Sequence, residues 1–445
     1  MSTMIAGTDR YLAEFESLER GAHESPAWLA ALRREAMARF AERGFPTTRD
    51  EDWRYTNLGP LAATPFHAAG PGAPGDLSAE LVDRSAVGPS AWPRLVFVDG
   101  RFAPEHSSRQ RLPGGARLSS LAEAMTTDGE LVERHLARHA RWDADVFAAL
   151  STAFVQDGAF LHVPVETVID APIEIVLLTT APGVLAQPRI LVVGEPHSRF
   201  TVLERHLGLT DEACFVNTVT ELAVGPGASL DHYVLQEQGA STFHMATVHA
   251  ALERDSTFST CEAAFGAGLA RTTLTVRFEG QGGRASIAGL YVADRRQHVD
   301  HHVTVDHAVP RCSSQQLFKG VLDGSARAVF NGRVIVRPDA QKTDANQTNK
   351  HLLLSDGVEV DSKPQLEIFA DDVKCTHGAA EGQLAPEAIF YLRSRGLDEA
   401  RARRLLTLGF VREVVERVTV EPIRRHLDRM LETRLGTRPA TTEWP

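Results

Sequence analysis

The sequence predicts a mainly β protein whose core is a parallel β-helix, with helical regions before and after it. Three observations carry this reading. From about residue 160 to 375 helical periodicity gives way to short runs rich in Val, Ile, Leu, Phe and Thr, such as RILVVGEPHSRFTVLE and ARAVFNGRVIVRP. Turn signals recur at Gly194, Gly225, Asp255, Gly280, Asp323 and Asp356, mostly about 25 to 35 residues apart. No crossover helix is evident over these roughly 200 residues, a length at which a sandwich grows awkward and a solenoid does not. The polar run QKTDANQTNKHLLLSDG (341–357) suits side-chain ladders that stack between coils.

The flanking elements follow in order. Ser25 and Pro26 read as an N-cap and first helical residue; Trp28, Leu32, Ala36 and Phe40 repeat at i+4, and Gly44 ends the helix. PTTRDEDWRYTNLGPL (46–61) is dense in Trp53 and Tyr55, and AATPFHAAGPGAPG (62–75) reads as a linker or exposed loop. The expected division is a helical and irregular N-terminal region (1–155), the β-helix (156–378) and a C-terminal helical domain (379–445). In the last of these Leu405, Leu408, Val411, Val414, Val415 and Val418 form one apolar stripe. Ile423, Leu427, Met430 and Leu431 form a second beyond Pro422. The outer faces are arginine-rich, which suits either a docking module or a solvated basic face over a small core.

Composition excludes several classes. A 445-residue chain with 43% apolar and 24% charged residues and a net charge of −11 is ordinary for a globular protein and unsuited to nucleic-acid binding through overall basicity. The exception is local: residues 387–438 hold 12 Arg against 8 acids. Four scattered cysteines, Cys214, Cys261, Cys312 and Cys375, make neither a disulfide framework nor a self-contained zinc site, so a reducing cytoplasmic home is expected. Neither a signal peptide nor a membrane-spanning run is visible. GxxxxGK[ST], GxSxG and HExxH are absent, so no nucleotide site and no hydrolase elbow is expected in this chain.

Two stretches carry metal-ligand chemistry. In RRQHVDHHVTVDHAVP (295–310), a strand places His298, Asp300 and His302 on one face, with His301 and His307 nearby. The cluster is either a divalent-metal site or a polar wall alternating with Val299, Val303 and Val305. In ADDVKCTHGAA (370–380) the same period of two puts Cys375 and His377 on one face, with Lys374 and Thr376 opposite. A thiolate and an imidazole suit zinc, iron or an iron–sulfur species, yet two ligands are half a site. Lys374 would favour the thiolate of Cys375, and Asp371 and Asp372 would oppose it.

Several blocks, HVDHHVTVDH, SSQQLFKGVLDGSARAVFNGRVIV, AQKTDANQTNKHLLLSDGVEVDSKPQLEIFADDVKCTHGAA and IFYLRSRGLDEARARRLLTLGF, together with WRYTNL (53–58), resemble the SufB/SufD family of iron–sulfur cluster assembly scaffolds. ADDVKCTHGA points to the SufD branch, with Thr376 where Ser is commoner. The resemblance implies a helical N-terminal region, a right-handed parallel β-helix and a helical C-terminal domain. It implies a non-catalytic scaffold that pairs with a SufB-like paralogue and docks a SufC-like ABC ATPase on its C-terminal helices. A nascent iron–sulfur cluster would form at the paralogue interface, with His377 this chain's ligand and Cys375 second to it. Phe390, Arg393, Gly396, Leu405 and Phe410 would mark the ATPase contact. A reduced flavin in the complex and a homodimer of the isolated chain are both compatible with it. Two other readings are a β-helix carbohydrate lyase, which needs paired carboxylates in an open groove, and an autonomous metal protein built on His298, His301 and His302.

Overall fold

The computed structural model describes residues 7–21, 25–69, 77–108 and 110–436. Its core is a parallel β-solenoid of about eight turns. Successive strands alternate between two sheets, so each pairs in parallel with the strand two positions on: His298–His307 with Arg327–Val336, and Asp344–Leu353 with Lys374–Gly382. Inward positions on one side of the interior are apolar, with Leu222, Leu230, Phe258, Leu274, Ile287, Val305 and Phe330 in one continuous cluster.

The corners repeat as regularly as the strands. Glu166, His197, Asp255, Arg311 and Lys342 all adopt a left-handed backbone, φ between 55° and 62°, and Gly227 takes the same place in its coil. Each donates its backbone N–H to a carbonyl in the turn of the following coil: Glu166 to Pro196, His197 to Pro226, Gly227 to Arg254, Asp255 to Gln281, Arg311 to Gln341 and Lys342 to Asp372. At Gly227 a Cβ would stand 2.5 Å from the His197 ring, so the ring at the preceding corner favours glycine there. Asp255, one of the turn signals, is itself such a corner.

The N-terminal region is more than helical. Arg94–Val98 adds a parallel strand to one sheet and Arg117–Ser120 an antiparallel strand to the other, closing the first coil. Helix Ala27–Arg43 ends at Gly44 (φ 63°), as the sequence suggests. Its buried face, Leu29, Arg33, Ala36, Met37 and Phe40, is turned from the expected stripe. The reason is Arg33, whose guanidinium donates to the Val155 carbonyl and to the Ser25 hydroxyl (2.8 Å), so Ser25 does not cap the helix. Of the expected linker, residues 70–76 lie outside the described residues. The rest is not an exposed loop: Phe66 is buried between Phe215 and Phe243, and His67–Ala68 pairs with Val184–Leu185. This segment and the helices Thr8–Gly21, Ala27–Arg43 and Val146–Ala153 form the layer over the outer face of the first sheet.

Three helices follow the solenoid, not two: Pro386–Ser394, Glu399–Val415 and Glu421–Gly436. Val411, Val414, Val415, Val418, Ile423, Leu427 and Leu431 pack on the outer face of the second sheet beside Tyr233, Leu290, Leu317 and Val321. Leu405, expected in this stripe, is 52% exposed; Ala402 and Thr407 take the buried positions instead. Lys319 ties this layer down, pairing with Glu413 and donating to the Phe410 carbonyl, both at 2.7 Å.

One buried carboxylate stitches the N-terminal region to the solenoid. Glu221 accepts the backbone N–H groups of Ala137, His139 and Ala140 at 2.8 to 3.0 Å and pairs with Arg189 at 2.6 Å. Burial pushes its carboxyl up, but the Arg189 charge and the Ala140 and Ala137 N–H groups outweigh burial and hold it below the usual range. Glu221→Ala strands a buried guanidinium and three N–H groups, so urea denaturation should show a loss of about 3 to 5 kcal/mol.

Candidate functional site at the open end of the solenoid

The two ends of the solenoid differ. The first coil is closed by added strands; the last coil, Glu359–Ile368 and Lys374–Gly382, is paired on one edge only among the described residues. Earlier strands are mostly buried, whereas Lys374–Gly382 is almost wholly exposed. The far edge therefore presents unused backbone N–H and C=O groups, with Ile368 and the 59% exposed Phe369 beside it.

Register settles which way the site faces. Cys375 stands opposite Ala345 and His377 opposite Gln347, both interior residues, so Cys375 and His377 point into the open end of the solenoid. Thr376 points outward and accepts from Asn346 (2.6 Å). Cys375 packs against the cluster of Val334, Ala345 and Ala370 together with Val373. Burial pushes its thiol up, the Ala345 N–H opposes this and Asp344 adds to it. Neither Lys374 nor Asp371 sets the balance, and Asp372 is paired with Lys342. The other three thiols are buried, and burial pushes Cys261 up to about 12.

The side chains of the histidine strand are engaged within the protein. His298, Asp300 and His302 do share the outward face, but the WRYTNL segment lies over them. Thr56 donates to Asp300 (2.5 Å) and bonds His298 (3.0 Å); Arg271 bridges Asp300 (2.6 Å) and the Asp52 carbonyl (2.8 Å) and stacks on Trp53. His301 and His307 face inward instead: His301 stacks on Tyr291 and lies 3.4 Å from Glu262, and His307 bonds Ser314 (2.9 Å). The wall is polar yet covered, where an exposed one was expected. Among the described residues no three His, Cys, Asp or Glu side chains are placed to hold a metal ion. Sequence reasoning also missed the buried Glu204, shared by His232 (2.8 Å) and Thr220 (3.0 Å).

The residues named for ATPase contact are scattered in role. Phe390 is 74% exposed on the first C-terminal helix and Leu405 is exposed on the second, while Arg393 pairs with Glu399 (3.5 Å). Gly396 (φ 92°) makes the turn between the first two helices, and Phe410 packs inward against Lys319. A groove of about 1180 Å³ runs along the first sheet past Thr273, Thr304, Asn331 and Lys363. Three of its carboxylates are engaged, Glu367 by Arg333, Glu51 by Lys363 and Glu42 by Arg39.

Comparison with known proteins agrees with this architecture. Residues 177–410 match the model of the SUF system FeS cluster assembly, SufBD core domain, and residues 7–175 that of the SufBD protein N-terminal region. The SufBD family protein slr0076 of Synechocystis is 32% identical over 399 residues, 87% of each chain. SufD of Escherichia coli is 30% identical over 86% of this chain and 88% of its own; SufD of Bacillus subtilis is 25% identical over 98% and 99%. The chain belongs to the SufBD family of iron–sulfur cluster assembly proteins. No described helix is long and apolar enough to cross a membrane.

The site makes a labelling prediction. In the isolated chain Cys375 should alkylate before Cys214, Cys261 and Cys312, and its rate should keep rising with pH above the ordinary thiol value of about 8.5. Peptide mass spectrometry over a pH series measures this.

Proposed function

We propose that this chain is a SufD-type scaffold subunit that builds a nascent iron–sulfur cluster with a SufB-like paralogue at the open end of its solenoid. The observation that carries this is the uncapped last coil, with His377 and Cys375 facing into it and too few ligands to hold a cluster alone. A second solenoid meeting this edge would satisfy the free backbone groups and bring the remaining ligands. Neutral His377 would ligate iron through one ring nitrogen, and Cys375 would lose its proton on binding. The cluster is cargo, and the chain contributes a frame without turnover of its own. A SufC-like ABC ATPase would dock on the C-terminal helices, where Phe390 and Leu405 are exposed and Arg393 lies one turn beyond Phe390.

Co-expression with both partners tests each part. His377→Ala should leave the complex intact while bound iron and sulfide fall at least about tenfold. Normal cluster content in that variant removes the ligand role. Phe390→Asp with Leu405→Asp should weaken the ATPase contact by about 2 kcal/mol or more, roughly 30-fold, and leave the paralogue contact unchanged in a pull-down.

A further inference from the structure

Behind His377 the solenoid interior carries two amides in file. Gln316 stands in register with Gln347, and Gln347 with His377, all on the inward face of the second sheet. One coil earlier the same position is the apolar Ile287, which separates the two amides from the mutually bonded pair His232 and Thr260 further back in the same row. Both glutamines are buried, and neither amide nitrogen nor amide oxygen has a hydrogen-bond partner among the described residues. An unpaired buried polar group is costly, and native proteins pair the great majority of them. The Gln347 amide is also held in place: a Cβ on Gly332 would lie 1.4 Å from its Nε2, so Gly332 is what makes room for it.

We infer that Gln347 is the positioning residue of His377. Rungs of a sheet lie about 4.8 Å apart, within reach of a hydrogen bond between in-register side chains. With its ring turned toward this unpartnered amide, His377 would donate one ring N–H to the Gln347 oxygen and keep the other nitrogen free for its ligand, the arrangement that metal-binding imidazoles ordinarily need. The consequence for cluster assembly rests on the proposed role of His377; the hydrogen bond itself belongs to the chain alone.

Ring nitrogen shifts of His377, read by NMR on the ¹⁵N-labelled full chain, decide the matter. The wild type should show one dominant tautomer, Gln347→Leu a mixture like that of free imidazole, and Gln347→Glu, which keeps an acceptor, one tautomer again. Gly332→Ala, which pushes the amide aside, should act like Gln347→Leu if the latter folds poorly. In the three-protein complex, Gln347→Leu should lower bound iron about tenfold and Gln347→Glu should restore it. A mixed tautomer in the wild type, or signals unchanged by Gln347→Leu and Gly332→Ala, overturns the inference. A tautomer shift without loss of iron in either Gln347→Leu or His377→Ala leaves the positioning intact and overturns the ligand role instead.

Discussion

The parallel ladder governs this molecule. A solenoid strand cannot bond its own neighbour in sequence; its backbone groups are satisfied only by the coils before and behind it. Interior coils meet this condition automatically, and the corner hydrogen bonds repeat it at every turn. The ends cannot. At the first coil the chain solves the problem itself, by spending the region before residue 155 on two extra strands and a helical cover. At the last coil it does not, and the chemistry-bearing residues stand there. The incompleteness of the edge and the incompleteness of the ligand set are one feature seen in backbone and in side chains.

The layers that flank the solenoid are fixed by a few buried charges more than by area alone. Glu221 with Arg189, Asp300 with Arg271 and Thr56, and Lys319 with Glu413 each join a sheet to a segment distant in sequence. Burial pushes the Asp300 carboxyl up, and the opposing charges of Arg271 and His302 and the Thr56 hydroxyl bring it well below its ordinary value. Such groups add little net stability over apolar packing, but they punish every alternative docking that would leave a charge buried and unpaired. They specify where the WRYTNL segment and the helical layer sit.

How much of this was legible in the sequence follows from the range of the interactions involved. The solenoid was readable because strand runs and turn signals recur locally, and the shared face of Cys375 and His377 follows from a period of two. Phe66 was not readable as core: a Pro/Gly-rich run gives no sign that one aromatic meets Phe215 and Phe243, far along the chain. Leu405 fits a helical stripe by spacing, yet which arc of the helix is buried depends on how it leans against the sheet. Helix Pro386–Ser394 escaped because Phe390 and Tyr391 face outward, which blurs its periodicity. The cover over His298, Asp300 and His302 comes from residues some 240 positions earlier, although Trp53 in its aromatic block was a visible trace.

The place where the C-terminal helices are anchored has a mechanical consequence. Lys319 lies on the strand Ser313–Leu322, two strands from the free edge of the same sheet, a span of about 10 Å. The same layer is also held further back, where Thr419 meets the Tyr233 hydroxyl and His426 pairs with Glu237, so a pull on it enters the second sheet at its middle and near its mouth together. The layer thus braces successive coils of that sheet against one another and leaves the last strand, Lys374–Gly382, beyond its packed area.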